Sequence, residues 1–356
     1  MGYLKSLFRL FFTNLVKYLV SKNFIDLNEM HLNVIQKLEK VENVFLTEHR
    51  RPKEHVAYNI KPLTTRTQPK IAVVIQGPII IVDNFTLETI LLYKKNFKNT
   101  ILIVSTWIGE DEPTLLKLKS LGIEIILNEK PLISGHSHIN YQIKSSITGI
   151  KRAKELGAKY VMKTRADQRI YGLNTIEYFL NLIASFPLRN VSLQKERLII
   201  PSINTFLFRL YGITDMMMFG NTDDMILYWN AEPDNRVIND QGVIYTGKSF
   251  AEISVCEVYL STQFLKKTGR NLKWTIEDSW SVYAESFCCV DYNSIDLFWP
   301  KYLPHTEFRN RYYSHNNTHQ LLTFNDWFSI YNKTYHYPNE KILTFNEGDY
   351  FDEPDN

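Results

Sequence analysis

From Ile71 onward the chain changes rhythm, and that change limits what it can fold into more than any other feature. "KIAVVIQGPI" is a short β-branched run stopped by Gly-Pro, "FTLETILLYKKNF" has helical spacing, and "TILIVSTW" is the next buried strand. "EPTLLKLKSLG" returns to helix with a glycine stop, and "IEIILNE" gives a third strand. The helix "NYQIKSSITGIKRAKELG" follows, with Ile143, Ile147, Ile150 and Ala153 on one face and Gly157 placed for its C-terminal cap. "KYVMKTRAD" then reads as a fourth strand. Strands alternating with helices at this spacing predict an α/β fold with a doubly wound, mostly parallel sheet. Such sheets bind ligands outside the carboxyl ends of their strands.

Asp167 sits at such an end, flanked by Arg165 and Arg169. A carboxylate leaving a strand there can hold a divalent cation, Mg or Mn, which in turn bridges the two phosphates of a nucleotide diphosphate. The bases of the segment, Lys163, Arg165 and Arg169, would neutralise phosphate charge, arginine being suited to bidentate contacts. No G-x-x-x-x-G-K-[ST] loop occurs, and "QGP" after the first strand is not G-x-G-x-x-G, so the usual phosphate cradles are absent. What remains is a nucleotide-sugar type of site. Its base and ribose would lie on the first strand and its turn, Gln76, Gly77 and Pro78, and its diphosphate would be reached from the fourth strand. The plainer alternative for Asp167 is an ion pair with a neighbouring arginine.

In order along the chain, "VIQGPI", "NYQIKSSITGIKRAKELGAKYVMKTRADQRIY", "GITDMMMFGNTDDMILYW" and "EVYLSTQFLKK" resemble the WavE-type lipopolysaccharide synthesis family. The likeness runs from Ile71 to Lys267, and "KTRADQRIY" and "DMMMFGNTDDM" are its most specific pieces. The resemblance implies a glycosyltransferase of GT-A-like fold. Its donor would be a nucleotide sugar, and its acceptor a lipopolysaccharide, capsule or other surface glycan or the lipid-linked precursor of one. The metal motif of many GT-A enzymes is Asp-x-Asp, whereas this chain reads Arg-Ala-Asp-Gln and keeps only Asp167.

An inverting transferase also needs a carboxylate to take the proton of the acceptor hydroxyl. Asp215 precedes "MMMFG", where a strand would carry it to the edge of a cleft; the methionines themselves are expected to fill core. Glu257 opens the helical run "EVYLSTQFLKK", and a helix N-terminus facing a cleft is a sensible mounting for a base. "TIEDSW" offers Glu277 and Asp278, of which at most one can serve, because adjacent helical residues point in different directions. Asp223 and Asp224 are expected to be the N-terminal acids of a helix. His305, in the stretch "LFWPKYLPHTEFRNRYYSHNNTHQ" that is rich in Trp, Tyr, His and Arg, is a candidate late metal ligand.

The rest of the chain frames this core. Residues 1–69 are expected to form a helical extension and linker, 70–345 the catalytic domain and 346–356 an acidic tail. "MGYLKSLFRLFFTNLVKYLVSKN" carries four bases and no acid, with its apolar residues interrupted too often for a membrane span of about 20 residues. It predicts an amphipathic helix lying on an anionic membrane, at the inner face of the cytoplasmic membrane. Leu27, Met30, Val34, Val41 and Val44 follow heptad spacing, broken by Lys37. Packing on the main domain is the expected use of that stretch, with a homodimer seam as the alternative. The 41 basic and 38 acidic residues give a net charge of +3, which leaves no field to attract nucleic acid. Three cysteines, Cys256, Cys288 and Cys289, suit a reducing cytoplasm.

Two other function classes fit the same residues. A sugar-phosphate or polyol-phosphate transferase would use the phosphate site but release a nucleoside monophosphate. A non-catalytic glycan-binding scaffold would need no complete metal motif.

Overall fold

The computed structural model describes residues 2–22, 26–42, 45–46, 49–59, 69–189, 193–238, 246–300 and 320–335. The chain divides into two compact units, Met1–Pro52 and Lys53–Asn356. The first contains helices α1 (Gly2–Ser21) and α2 (Leu27–Glu42). On α1, Leu10, Phe11, Leu15 and Tyr18 are exposed, and on α2 so are Leu27, Val34 and Val41. No helix among the described residues is long and apolar enough to cross a membrane.

Residues 53–59 are tied to the second unit and do not behave as linker: the His55 backbone N–H donates to Glu88 at 2.8 Å, and the Tyr58 hydroxyl donates to the Tyr171 carbonyl. The acidic tail, residues 346–356, falls outside the described residues.

The second unit follows the predicted alternation. β1 (Ile71–Gln76) leads to α3 (Phe85–Asn96), β2 (Thr100–Trp107), α4 (Glu112–Ser120), β3 (Glu124–Asn128), α5 (Ile139–Glu155) and β4 (Tyr160–Arg165). Every residue of β1 is buried, as the unbroken apolar run requires, and each of its Val and Ile side chains contributes about 1.5–3 kcal/mol through burial. α4 starts where Asp111 accepts from the Thr114 N–H at 2.9 Å and Pro113 occupies the first turn. α5 buries Ile143, Ile147, Ile150 and Ala153, and Gly157 takes φ +78° just after it. This helix lies hard against the sheet: a Cβ on Gly149 would meet Val74 Cγ1 at 2.4 Å.

Beyond β4 the chain adds β5 (Arg169–Ile170), α6 (Thr175–Ser185), β6 (Leu198–Pro201), β7 (Met218–Asn221), α7 (Thr222–Trp229), α8 (Gly247–Ser254) and α9 (Cys256–Lys267). It continues through α10 (Ile276–Ser286), β8 (Phe287–Val290), β9 (Leu297–Phe298) and α11 (Phe324–Tyr331). The seven-stranded sheet has the order β3-β2-β1-β4-β7-β6-β8, parallel except for β7, which runs antiparallel to both β4 and β6. The α/β, doubly wound, mostly parallel sheet expected from the sequence is therefore present. Antiparallel pairing of β5 with β9, Arg169 opposite Phe298, brings the segment after β9 next to the end of β4.

Candidate active site

β1 and β4 pair in parallel with Gln76 opposite Arg165, so both strands end at the same level. A cleft of about 690 Å³ opens there. The turn after β1 lines it with Gln76, Gly77 and Pro78. Gly77 holds φ +109°, a backbone conformation that a side chain would strain. The Gln76 side chain is buried and accepts from the Ser145 hydroxyl of α5 at 2.8 Å.

At the end of β4, Arg165 and Asp167 form a bidentate pair, with Nε–Oδ1 and Nη2–Oδ2 both 2.8 Å. Trp299, delivered by β9, donates its indole N–H to Asp167 Oδ2 at 3.2 Å and places its ring 5.3 Å from the Arg165 guanidinium. Burial by itself would raise the Asp167 pKa, but the hydrogen bonds and charge of Arg165, helped by Trp299, hold it below the ordinary value. Asp167 is thus a carboxylate already engaged by an arginine fork.

A second cluster lines the same cleft. Asp215, Cys256 and Glu257 bring one ligand atom each within 4.8 Å of one another. α9 starts at Cys256, so Glu257 stands in its first turn as the sequence suggests, while Asp215 arrives on the segment leading into β7. The Cys256 thiol donates to Glu257 Oε2 at 3.0 Å, and Gln142 of α5 donates to Asp215 Oδ2. Burial, and after it the charge of Asp215, pushes the Glu257 pKa up. The Cys256 thiol is also pushed up by burial, then by Glu257 and Asp215, which keeps it protonated.

Seven predicted site residues therefore meet in one cleft: Gln76, Gly77, Pro78, Arg165, Asp167, Asp215 and Glu257. The others do not join them. Lys163 is fully buried two residues inside β4, where its ammonium donates to the Asp215 carbonyl and sits 4.3 Å from the centre of the Trp229 ring. Desolvation lowers its pKa to about 7. Arg169 is buried and spends its guanidinium on the Thr89 hydroxyl at 2.9 Å, the Phe85 carbonyl at 3.0 Å and the Lys53 carbonyl at 2.7 Å, so it braces α3 and is not among the residues that line the cleft. Asp278 accepts from the Tyr211 hydroxyl, from Arg270 Nη2 at 2.8 Å and from the Lys273 N–H at 3.1 Å, a structural network away from the cleft lining. Asp224 is likewise no simple helix-end acid: it is buried and accepts the N–H groups of Lys195 and Glu196. His305 lies outside the described residues.

Several lining residues carry no signal in the sequence motifs. Lys130 and Arg209 reach the cleft from separate loops, and His138, Tyr141 and Gln142 from the start of α5. The His138 and Tyr141 rings, three residues apart at the start of α5, stack at 5.6 Å.

Neither donor set by itself completes the oxygen shell of Mg or Mn. Those ions take an octahedral shell of oxygen ligands. Asp167 belongs to no converging group of three His, Cys, Asp or Glu side chains among the described residues, and both its oxygens already accept from Arg165. The group that does converge includes a protonated thiol, a poor ligand for a hard cation.

Comparison with known proteins adds the following. The sequence profile of the family described as WavE lipopolysaccharide synthesis matches residues 71–265. No curated protein sequence matches the chain. Among solved structures, S. aureus TarS 1–349 in complex with UDP has a TM-score of 0.32 and 11% identity over 60% of this chain and 63% of that one. Mouse xyloside xylosyltransferase 1 in its apo form has a TM-score of 0.30 and 8% identity, covering 65% of this chain and 97% of that one. Mannose-1-phosphate geranyltransferase from Thermus thermophilus has a TM-score of 0.24 and 13% identity over 40% of this chain, which spans 44% of that protein.

Proposed function

The chain belongs to the WavE lipopolysaccharide synthesis family, and from that premise we propose that it is a glycosyltransferase moving a sugar from a nucleotide-activated donor onto a surface-glycan precursor. The observation that supports this reading is the pairing, in one cleft, of a strand-end arginine with the carboxylates of buried Asp215 and half-buried Glu257. Arg165 receives the negative charge that builds on the leaving nucleoside diphosphate. Glu257 takes the proton of the acceptor hydroxyl as the new glycosidic bond forms, with Asp215 beside it and held by Gln142. The turn Gln76, Gly77 and Pro78 receives the nucleoside, the glycine leaving backbone close to the ligand. A base on the acceptor side suits a single displacement with inversion.

Acceptors of such pathways are lipid-linked, and α1 exposes Leu10, Phe11, Leu15 and Tyr18 on a helix whose sequence is basic. We place it on the inner face of the cytoplasmic membrane as a peripheral contact.

The test is turnover of a panel of nucleotide sugars with membrane glycolipid acceptors, reading both products. Release of a nucleoside diphosphate together with an acceptor heavier by one glycosyl residue is the expected result. Release of a nucleoside monophosphate with transfer of a sugar phosphate would assign the chain to the phosphotransferase class. Absence of donor binding and turnover with every acceptor would leave a glycan-binding scaffold.

A further inference from the structure

Resting on the glycosyltransferase reading, we propose that Arg165 itself meets the donor's diphosphate, without a bridging metal ion, and that Asp167 is the positioning residue that holds the guanidinium in place. Three features of the site point this way. First, the pair is bidentate, both contacts being 2.8 Å, so the carboxylate presents its two oxygens to the fork of the arginine. A cation seated on the same oxygens would lie against a fixed positive charge. Second, Trp299 locks the arrangement from two directions, donating to Asp167 Oδ2 and lying 5.3 Å from the guanidinium. Third, the first acid of an Asp-x-Asp pattern is here Arg165, so a fixed cation stands where a metal ligand would be. Arg165 lines the cleft and is partly exposed there, where a planar guanidinium matches the geometry of a phosphate.

The assignment reverses the roles expected from the sequence. Asp167 tunes and orients a cation and does not ligate one. Donor recognition then depends on a planar fork that matches phosphate geometry, a task that a lysine performs less well.

The experiment is calorimetric binding of UDP, GDP, dTDP, ADP and CDP to the full chain, in EDTA and in MnCl₂, with bound Mn²⁺ counted by electron paramagnetic resonance. At least one nucleotide is expected to bind in EDTA with an affinity within about threefold of that in Mn²⁺, the protein taking up no Mn²⁺ beyond what the free nucleotide holds. Arg165→Met should weaken that binding about ten- to a hundredfold in EDTA, the size of a charged hydrogen-bond contribution. Arg165→Lys keeps the charge and should fall between the two. Asp167→Asn should weaken binding in EDTA by less than Arg165→Met does, and Asp167→Glu should restore it, a rescue that loss of fold would not show. Binding that requires Mn²⁺, or wild-type affinity in folded Arg165→Met and Arg165→Lys proteins, overturns this proposal and leaves the glycosyltransferase reading standing. Failure of every nucleotide to bind in either buffer overturns both.

Discussion

The carboxylates of Asp215 and Glu257 come within 4.8 Å of each other, with the Cys256 thiol completing the group. They reach this point from the approach to β7 and the first turn of α9, two elements far apart in sequence. Two acids so close and so poorly solvated resist ionising together, and the strain falls on Glu257.

Glu257→Gln is expected to lower the rate of transfer about a hundredfold or more while leaving nucleotide affinity nearly unchanged, as befits a base acting in the transition state. In the wild type the rate should rise with pH as Glu257 ionises, with a midpoint above the ordinary glutamate value of 4.5. Asp215→Asn removes the neighbouring negative charge and should move that midpoint down. A pH–rate profile of the three proteins checks the assignment. An unshifted midpoint in Asp215→Asn would separate the two groups.

Lys163 offers a stability measurement. Its folded pKa is lowered to about 7 from 10.5, so between those values the unfolded chain binds more protons than the folded one. This group therefore makes stability rise with pH across that window, and below about 7 the folded state carries the full cost of a buried ammonium. Lys163→Met cannot titrate. The melting temperature of the wild type relative to the variant is expected to climb between pH 7 and pH 10, as differential scanning calorimetry would show. A constant difference would mean that the buried amine keeps its ordinary pKa.

Asp278→Asn should leave transfer activity intact and lower stability by about 1.5–3 kcal/mol, because Tyr211 and Arg270 lose a charged acceptor. Burial opposes ionisation here, but the bonds from Tyr211, Lys273 and Arg270 prevail and lower the pKa. The wild-type advantage is therefore present above the unfolded carboxylate value and is lost as pH falls through the folded one. Urea denaturation at neutral and acid pH measures it. A folded variant with strongly reduced turnover would return Asp278 to the site.

Deleting residues 1–23 is expected to release the protein from anionic liposomes while activity on a soluble acceptor analogue persists. Lys5, Arg9, Lys17 and Lys22 would each contribute about 1 kcal/mol near an anionic surface, so binding should also weaken with salt. Co-sedimentation across a salt series tests both points. Salt-insensitive binding by the truncated chain would exclude α1 as the anchor.

The alternation from Ile71 made the sheet legible, and with it the strand ends that carry Gln76, Arg165 and Asp167, because parallel topology dictates where strands stop. Depth within a strand was not legible in the same way. Lys163 is only two residues before Arg165, about 6.6 Å along a strand, yet that distance moves it from the cleft to a berth beside Trp229. Arg169 was misread because the chain turns after Asp167 and pairs with β9, which faces its guanidinium toward α3. That same pairing delivers Trp299, whose role depends on a strand of two residues and on no local motif. Asp278 had the right chemistry and a helix start, but only tertiary packing could show that Tyr211 and Arg270 already claim it.

Gly149 turns the contact between α5 and β1 into a gauge for the site. Because a side chain there would strike the stiff Val74 at 2.4 Å, the helix can lie only as close as a hydrogen atom allows. The same helix carries Gln142, about 10 Å away along its axis, against Asp215, and β1 carries Gln76 to the cleft floor. A single methyl at position 149 would act as a wedge, tilting one wall of the cleft against the other. The spacing between the turn after β1 and the acid cluster thus depends on a side chain that is absent from the helix–sheet contact at Gly149.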